Sequence, residues 1–239
     1  MLDLLKQLLK NSRLVQHAYN WVQDKNIVSI DKRCLDYVAT MIMDTGDKYL
    51  PSKDLISVLQ VRGDYRFDDI REDDIVIDIG ANIGAFSIPA SRVSKHVYAV
   101  EPITVEELRK NIELNGRKIT VLEVALGDGQ PNKVSWGSQH KYMMTSTLGE
   151  IKKLCGGCDF LKIDCEGGEW TIKPGELEGI RRIEMEVHTV KRLTTKKSAL
   201  EKMGKRLEEA GFTCDLEIIR TGYHHAGPVG IIHASRGGW

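Results

Sequence analysis

The run D-F-L-K-I-D-C-E-G-G-E-W, residues 159–170, sets Lys162, Asp164 and Glu166 at alternate positions among apolar residues. Side chains two apart on a strand share a face. A second run, residues 183–188, repeats the pattern with Glu184, Glu186 and His188. Carboxylates and an imidazole meeting at two strand ends can do two kinds of chemistry. They can take a proton from a bound hydroxyl, for which the ordinary histidine pKa of about 6.5 is well placed. They can also hold a divalent cation, with Asp164, Glu166 and Glu186 as an oxygen ligand set. Three unpartnered charges inside a core would cost several kcal/mol, so the strand is expected to leave the core near Asp164. Asp164 and Glu166 are the first candidates for the base and His188 the next, with Glu169 and Glu186 on the same crevice. Lys162, deeper in the strand, is assigned to an internal ion pair.

The elements that must position these residues follow from hydrophobic periodicity. Strands are expected at 75–79, 96–100, 119–126, 160–164 and 183–188, with helices at 83–92, 105–114 and 197–210. Asn115-Gly116 and Gly211 suit helix stops. Two closing strands, 213–219 and 229–233, have no helix between them. This alternation predicts an α/β fold: a doubly wound, mostly parallel seven-stranded sheet with one antiparallel edge strand. Ligands in such sheets bind beyond the carboxyl ends of the strands, where strand order reverses. The N-terminal residues read differently. Residues 2–18 carry Leu2, Leu5, Leu8 and Leu9 on an amphipathic helix, 33–45 has helical spacing, and 55–61 fits strand or helix. The chain is therefore divided into an N-terminal helical extension or cap, 1–68, and a Rossmann-like domain, 69–239.

The run V-I-D-I-G-A-N-I-G, residues 76–84, is a strand, a glycine turn and a helix start. Such a turn admits positive φ, and its free amides favour an anionic group. A dinucleotide site wants G-x-G-x-x-G; here Asn82 stands at the second glycine, where its side chain would meet a pyrophosphate. Asp78, two residues before Gly80, suits instead the cationic amino-acid part of S-adenosylmethionine. Glu101, 21 residues after Gly80, has the offset of a carboxylate bridging two ribose hydroxyls. The predicted cofactor contacts are Asp78, Gly80, Ala81, Asn82, Gly84, Glu101, Pro102, Ala125, Leu126 and Asp164, with S-adenosylhomocysteine as the product.

Together, D-I-G-A-N-I-G, Glu101-Pro102, A-L-G-D from Ala125, K-I-D-C-E-G-G-E from Lys162 and E-V-H from Glu186 resemble the FkbM family of S-adenosylmethionine-dependent methyltransferases. The match runs over about 65–188 and departs from the family pattern at Cys165 and Gly168. The resemblance implies a class I methyltransferase and methyl transfer, commonly to a hydroxyl of a small molecule or sugar. The loop pair His224-His225 is a further candidate for contact with the methyl acceptor. A second resemblance, carried by S-I-P-A-S from Ser87, V-Y-A-V-E-P from Val97 and K-N-I-E-L-N-G from Lys110, is to the cofactor half of certain tRNA guanine methyltransferases. The chain lacks their asparagine-proline motif on the fourth strand, so RNA ranks second as a partner. A non-catalytic, cofactor-binding member of the fold is the third reading.

Composition narrows the field. The 34 basic and 34 acidic residues cancel, so no overall field draws the chain to nucleic acid or an anionic membrane. No apolar run reaches the ~20 residues that span a bilayer. Five scattered cysteines argue against a disulfide framework, and Cys155-Gly-Gly-Cys158 has no second pair to complete a zinc site. No metal site is assigned, although a divalent ion stays open as an alternative. A cytoplasmic location is expected.

Overall fold

The computed structural model describes residues 29–30, 41–42, 45–50, 52–189, 195–219 and 229–237. Three two-residue strands come first: β1 (Ser29–Ile30), β2 (Met41–Ile42) and β3 (Lys48–Tyr49), paired antiparallel in that order. Helix α1 (Ile56–Asp64) follows, so the ambiguous 55–61 stretch is helical. The expected helix over 33–45 is corrected where it is described, because Met41–Ile42 pairs on both sides and backbone pairing overrides helical spacing. The expected 2–18 helix and His224-His225 lie outside the described residues.

From residue 75 the chain runs β4 (Ile75–Ile79), α2 (Ser87–Ala90), β5 (His96–Val100), α3 (Val105–Asn115), β6 (Ile119–Leu122) and β7 (Ala125–Leu126). It continues through β8 (Pro131–Trp136), β9 (Gln139–Ser146), α4 (Leu148–Cys155), β10 (Phe160–Ile163) and β11 (Arg182–Glu186). It ends with α5 (Lys196–Glu209), β12 (Thr213–Ile219) and β13 (Val229–Ser235). Seven strands form the main sheet, in the order β12-β13-β11-β10-β4-β5-β6. The reversed strand is β13, antiparallel to both neighbours. It sits inside the sheet, and β12 takes the edge instead, because the closing hairpin folds β13 back between β11 and β12.

Two expected elements are shorter. Helix 83–92 contracts to α2, since Gly84 at φ +91° delays helix entry and Pro89 lacks a donor. Strand 119–126 ends at Leu122, and Ala125–Leu126 changes partners to pair with β9 in a second sheet, β7-β9-β8. The β8–β9 hairpin was not expected.

Apolar residues of β4, β10 and β11 alternate between two cores. Ile77, Ile79, Leu161, Ile163, Ile183 and Met185 pack with Leu148 and Ile151 of α4 and Met203 and Leu207 of α5. Val76, Phe160 and Ile231 pack with Val58 of α1 and with Phe86 and Ile88 on the other face. Each such side chain contributes about 1.5–3 kcal/mol on burial. Asn111 and Asn115 of α3 hold the N-terminal segment there: their Oδ1 atoms accept the Leu50 and Lys48 N–H groups at 2.8 and 2.9 Å. Strand order reverses between β4 and β10, which opens a crevice at their carboxyl ends.

Candidate active site

Strand register sets the depth of each charge. Asp78, Lys162, Glu184, His233 and Asp215 stand opposite one another in a row across β4, β10, β11, β13 and β12. Lys162, whose side chain is 3% exposed, finds the partner that the sequence left open: its Nζ lies 3.1 Å from Asp78 Oδ1 and donates to the Gly80 carbonyl at 2.9 Å. Burial opposes the ammonium, but Asp78 and Asp164 outweigh it and hold the Lys162 pKa above the ordinary lysine range. Ser87 Oγ donates to Asp78 Oδ2 at 2.6 Å. Asp78, fully buried, thus lies beneath the crevice and does not line it.

The crevice is a cleft of about 620 Å³. Of the predicted cofactor contacts, Gly80, Asn82, Glu101, Pro102, Ala125, Leu126 and Asp164 line it. Ala81 and Gly84 are buried behind it with Asp78. Glu101 organises the loop: Oε2 accepts the Asn82 N–H at 2.8 Å, and Oε1 accepts those of Ile103 and Thr104 at 2.7 and 3.0 Å. Asn82 holds φ at +48°, and its buried Oδ1 has no hydrogen-bond partner. Gly80 is required by the protein's own packing, because a Cβ there would stand 1.7 Å from the Asp164 carbonyl oxygen. Gly168 is similarly pressed, its added Cβ 2.8 Å from the Leu126 carbonyl oxygen.

The far wall is the β8–β9 hairpin, with Asn132, Val134 and Trp136 facing the cleft. Sequence reasoning missed it. The signal was Gly137-Ser138, a two-residue connection between Trp136 and its partner Gln139, with Gly137 at φ +55°.

Beyond Asp164 the strand ends bring Glu166, Glu169, Glu186 and His188 together. Glu184 sits in the inner row, bonded to Arg182 at 2.7 Å and to His233 Nδ1 at 2.6 Å. Glu186 and His188 lie past it, at the crevice edge. His188 Nε2 stands 3.8 Å from Asp164 Oδ1, 3.6 Å from Glu166 Oε1 and 3.7 Å from Glu186 Oε1. Its Nδ1 is 3.3 Å from Oε1 of Glu169, a fully buried carboxylate. Glu169 also accepts the His188 and Gly167 N–H groups at 2.8 and 2.9 Å, so it ties the two strand ends together. Tyr65 Oη donates to Asp164 Oδ2 at 3.3 Å.

Burial works against charge on His188, yet Glu166, Glu169 and Asp164 overcome it and push its pKa up to about 11. Burial and then Asp164 push the Glu186 carboxyl up to about 8. Glu166, half exposed, is held below the ordinary carboxylate range chiefly by His188. The group as found is an imidazolium ringed by carboxylates, one of them poised to exchange a proton near neutrality.

Other candidates stay outside the site. Cys155 ends α4 and Cys158 precedes β10; both are free and buried, and burial raises both pKa values, Cys155 to about 12. Three basic side chains outside the site are engaged by the protein itself: Lys152 with the Glu176 and Glu178 carbonyls, Arg181 with Asp69 and Asp74, and Arg182 with Glu184. Among the described residues no helix is long and apolar enough to cross a membrane.

Residues 78–214 match the family profile described as the methyltransferase FkbM domain. No curated protein matches the chain. Among solved structures, a candidate transferase from Pyrococcus horikoshii is 17% identical with a TM-score of 0.50, over 83% of this chain and 71% of that one. TYW2 of M. jannaschii in complex with AdoMet is 16% identical with a TM-score of 0.49, over 83% and 84% of the two chains.

Proposed function

The chain belongs to the FkbM family of S-adenosylmethionine-dependent methyltransferases, and from that premise we propose that it methylates a hydroxyl oxygen of a small molecule or sugar. One observation carries the reading. Asp164 belongs at once to the cleft wall and to the carboxylate–imidazole group, so the cofactor space opens directly onto proton-accepting side chains.

The cleft residues fit the cofactor. Its volume lies in the range of small-molecule sites. The unpartnered Asn82 Oδ1 offers an acceptor to an ammonium or hydroxyl, and Glu101 keeps one lone pair on Oε2 for a ribose hydroxyl beside its backbone bonds. Ala125 and Leu126 give the adenine an apolar ledge. When bound, S-adenosylmethionine supplies an electrophilic methyl group on a sulfonium sulfur. Asp164 and Glu166 set negative charge beside that position, and the hairpin with Trp136 walls the cleft on the far side. Alignment of this kind supplies up to ~7–11 kcal/mol of barrier reduction in well-oriented systems. A hydroxyl must lose its proton as it is methylated, and general bases contribute about 10²–10⁴-fold to such steps. The group around His188 is built of such bases, with half-exposed Glu166 as the outlet to solvent.

The balance of 34 basic and 34 acidic residues, which leaves no overall field for a polyanion, supports a small methyl acceptor over RNA. We take residues 1–68 as an extension of the 69–239 domain, since Tyr65 reaches Asp164 from it. We place the protein in the cytoplasm, where the free thiols Cys155, Cys158, Cys165 and Cys214 stay reduced. The test is transfer of radiolabelled methyl from S-adenosylmethionine into a cell extract. Label in a low-molecular-weight, ribonuclease-resistant fraction, lost in Asp164→Asn, is expected; label confined to ribonuclease-sensitive polymer would overturn the reading.

A further inference from the structure

Asp164, Glu186 and His188 each present one donor atom to a common space, and the three atoms lie within 4.8 Å of one another. The separations that matter are 3.8 Å from His188 Nε2 to Asp164 and 3.7 Å to Glu186. Both are too long for hydrogen bonds. They agree with two ligands about 2.1–2.3 Å from a shared ion, which stand roughly 3.0–3.8 Å apart at octahedral to tetrahedral angles. The imidazole therefore points Nε2 into a ring of oxygens without bonding any of them.

A second observation, on the far side of the ring, says what that nitrogen is for. Behind Nδ1, at 3.3 Å, stands Glu169, fully buried and fixed by two backbone N–H groups. Nδ1 makes no hydrogen bond as found, and this carboxylate is the partner it would take if Nε2 ligated a metal. Local charge points the same way. Four carboxylates, those of Asp164, Glu166, Glu169 and Glu186, surround the ring. Among the described residues the ammonium groups nearest them are Lys196, 3.9 Å from Glu186, and Lys162, 4.0 Å from Asp164 and already paired with Asp78.

We propose that Asp164, Glu186 and His188, whose ring releases its Nε2 proton on binding, hold a divalent cation at the edge of the cofactor cleft. One imidazole with two carboxylates suits Mn²⁺, Fe²⁺ or Zn²⁺ better than Mg²⁺. Three protein ligands leave an open position, which faces the cleft through Asp164 and takes the methyl acceptor's oxygen. This use of the ion rests on the methyltransferase reading; the binding itself does not.

The experiment is titration of the full chain with Mn²⁺ alone, followed by electron paramagnetic resonance of the free ion. S-adenosylhomocysteine binding is measured in parallel as a check on folding. One Mn²⁺ per chain is expected, lost in Glu186→Gln and in His188→Asn. Glu169→Gln should weaken it by about 10–100-fold. Absence of stoichiometric Mn²⁺ in a chain that binds S-adenosylhomocysteine overturns the proposal and leaves the methyltransferase reading intact. So does Mn²⁺ that persists unchanged in both ligand variants. Mn²⁺ binding without S-adenosylhomocysteine binding sustains the site and counts against the function proposed above.

Discussion

Glu184 and Glu186 lie on β11, two residues apart on the same face, and each has a histidine beside it: His233 of β13 and His188 just past the strand. Glu184 is saturated: Arg182, His233 and the Arg66 N–H all contact its carboxylate at 2.6–3.1 Å, and water is excluded. Glu186 has His188 at 3.7 Å and Lys196 at 3.9 Å, with no hydrogen bond to either. The same residue types thus do opposite work. A buried charge whose lone pairs are all used is part of the frame, and one left short of partners at a cleft edge is available to a ligand. What divides them is distance along the strand, since the row of Lys162 and Glu184 lies inside the sheet and that of Asp164 and Glu186 lies where it ends.

Four measurements can break this contrast. Glu184→Gln leaves Arg182 buried beside a neutral side chain, and should cost about 3–5 kcal/mol of unfolding free energy in a denaturant titration. A loss under about 1 kcal/mol would erase the distinction. Glu186→Gln should move the denaturation midpoint little, and lower methyl transfer at saturating cofactor by about 10²-fold or more. Trp170→Phe removes the indole N–H that holds the His188 carbonyl at 2.9 Å. It should cost about 0.5–1.5 kcal/mol and loosen the open pair alone, seen as faster amide exchange at His188 with the β13 amides unchanged. Arg66→Ala is the mildest. Its ion pairs with Asp215 and Glu217 are half exposed, so the loss should be about 0.2–1 kcal/mol and shrink in high salt. The hydrogen bond from Arg66, offset by slight burial, holds Asp215 below the usual aspartate range. That stability is present above about pH 4 and disappears as the pH falls through the lowered value. The wild-type and Arg66→Ala curves should therefore meet in acid.

The sheet was legible because its strands are continuous apolar runs ending at glycine or charge, and these need no partner to be recognised. Half of the site was legible for a related reason: period two places Asp164 with Glu166, and Glu186 with His188, whatever lies next to them. Period two cannot separate Glu184 from Glu186, because both satisfy it. Their difference is set by pairing with Lys162 and His233, residues 22 and 49 positions away. The partners of Asp78 were hidden for the same reason. Its place before the glycine turn suited a ligand contact, and only register shows Lys162 and Ser87 occupying it first. The β8–β9 hairpin escaped notice because its residues are mostly exposed and carry little hydrophobic rhythm.

The clearance at Gly80 has a further consequence for anyone who would alter this enzyme. The turn that shapes the cofactor end of the cleft and the backbone of Asp164 are in van der Waals contact, with no room for a methyl group. The glycine turn and the end of β10 are therefore mechanically yoked, and a library randomised at position 80 would return mostly misassembled chains. The β8–β9 wall has no such constraint at its exposed tip. Exchanging that hairpin for others of equal length is the economical route to new substrates, because it reshapes the opening while the two strand ends keep their spacing.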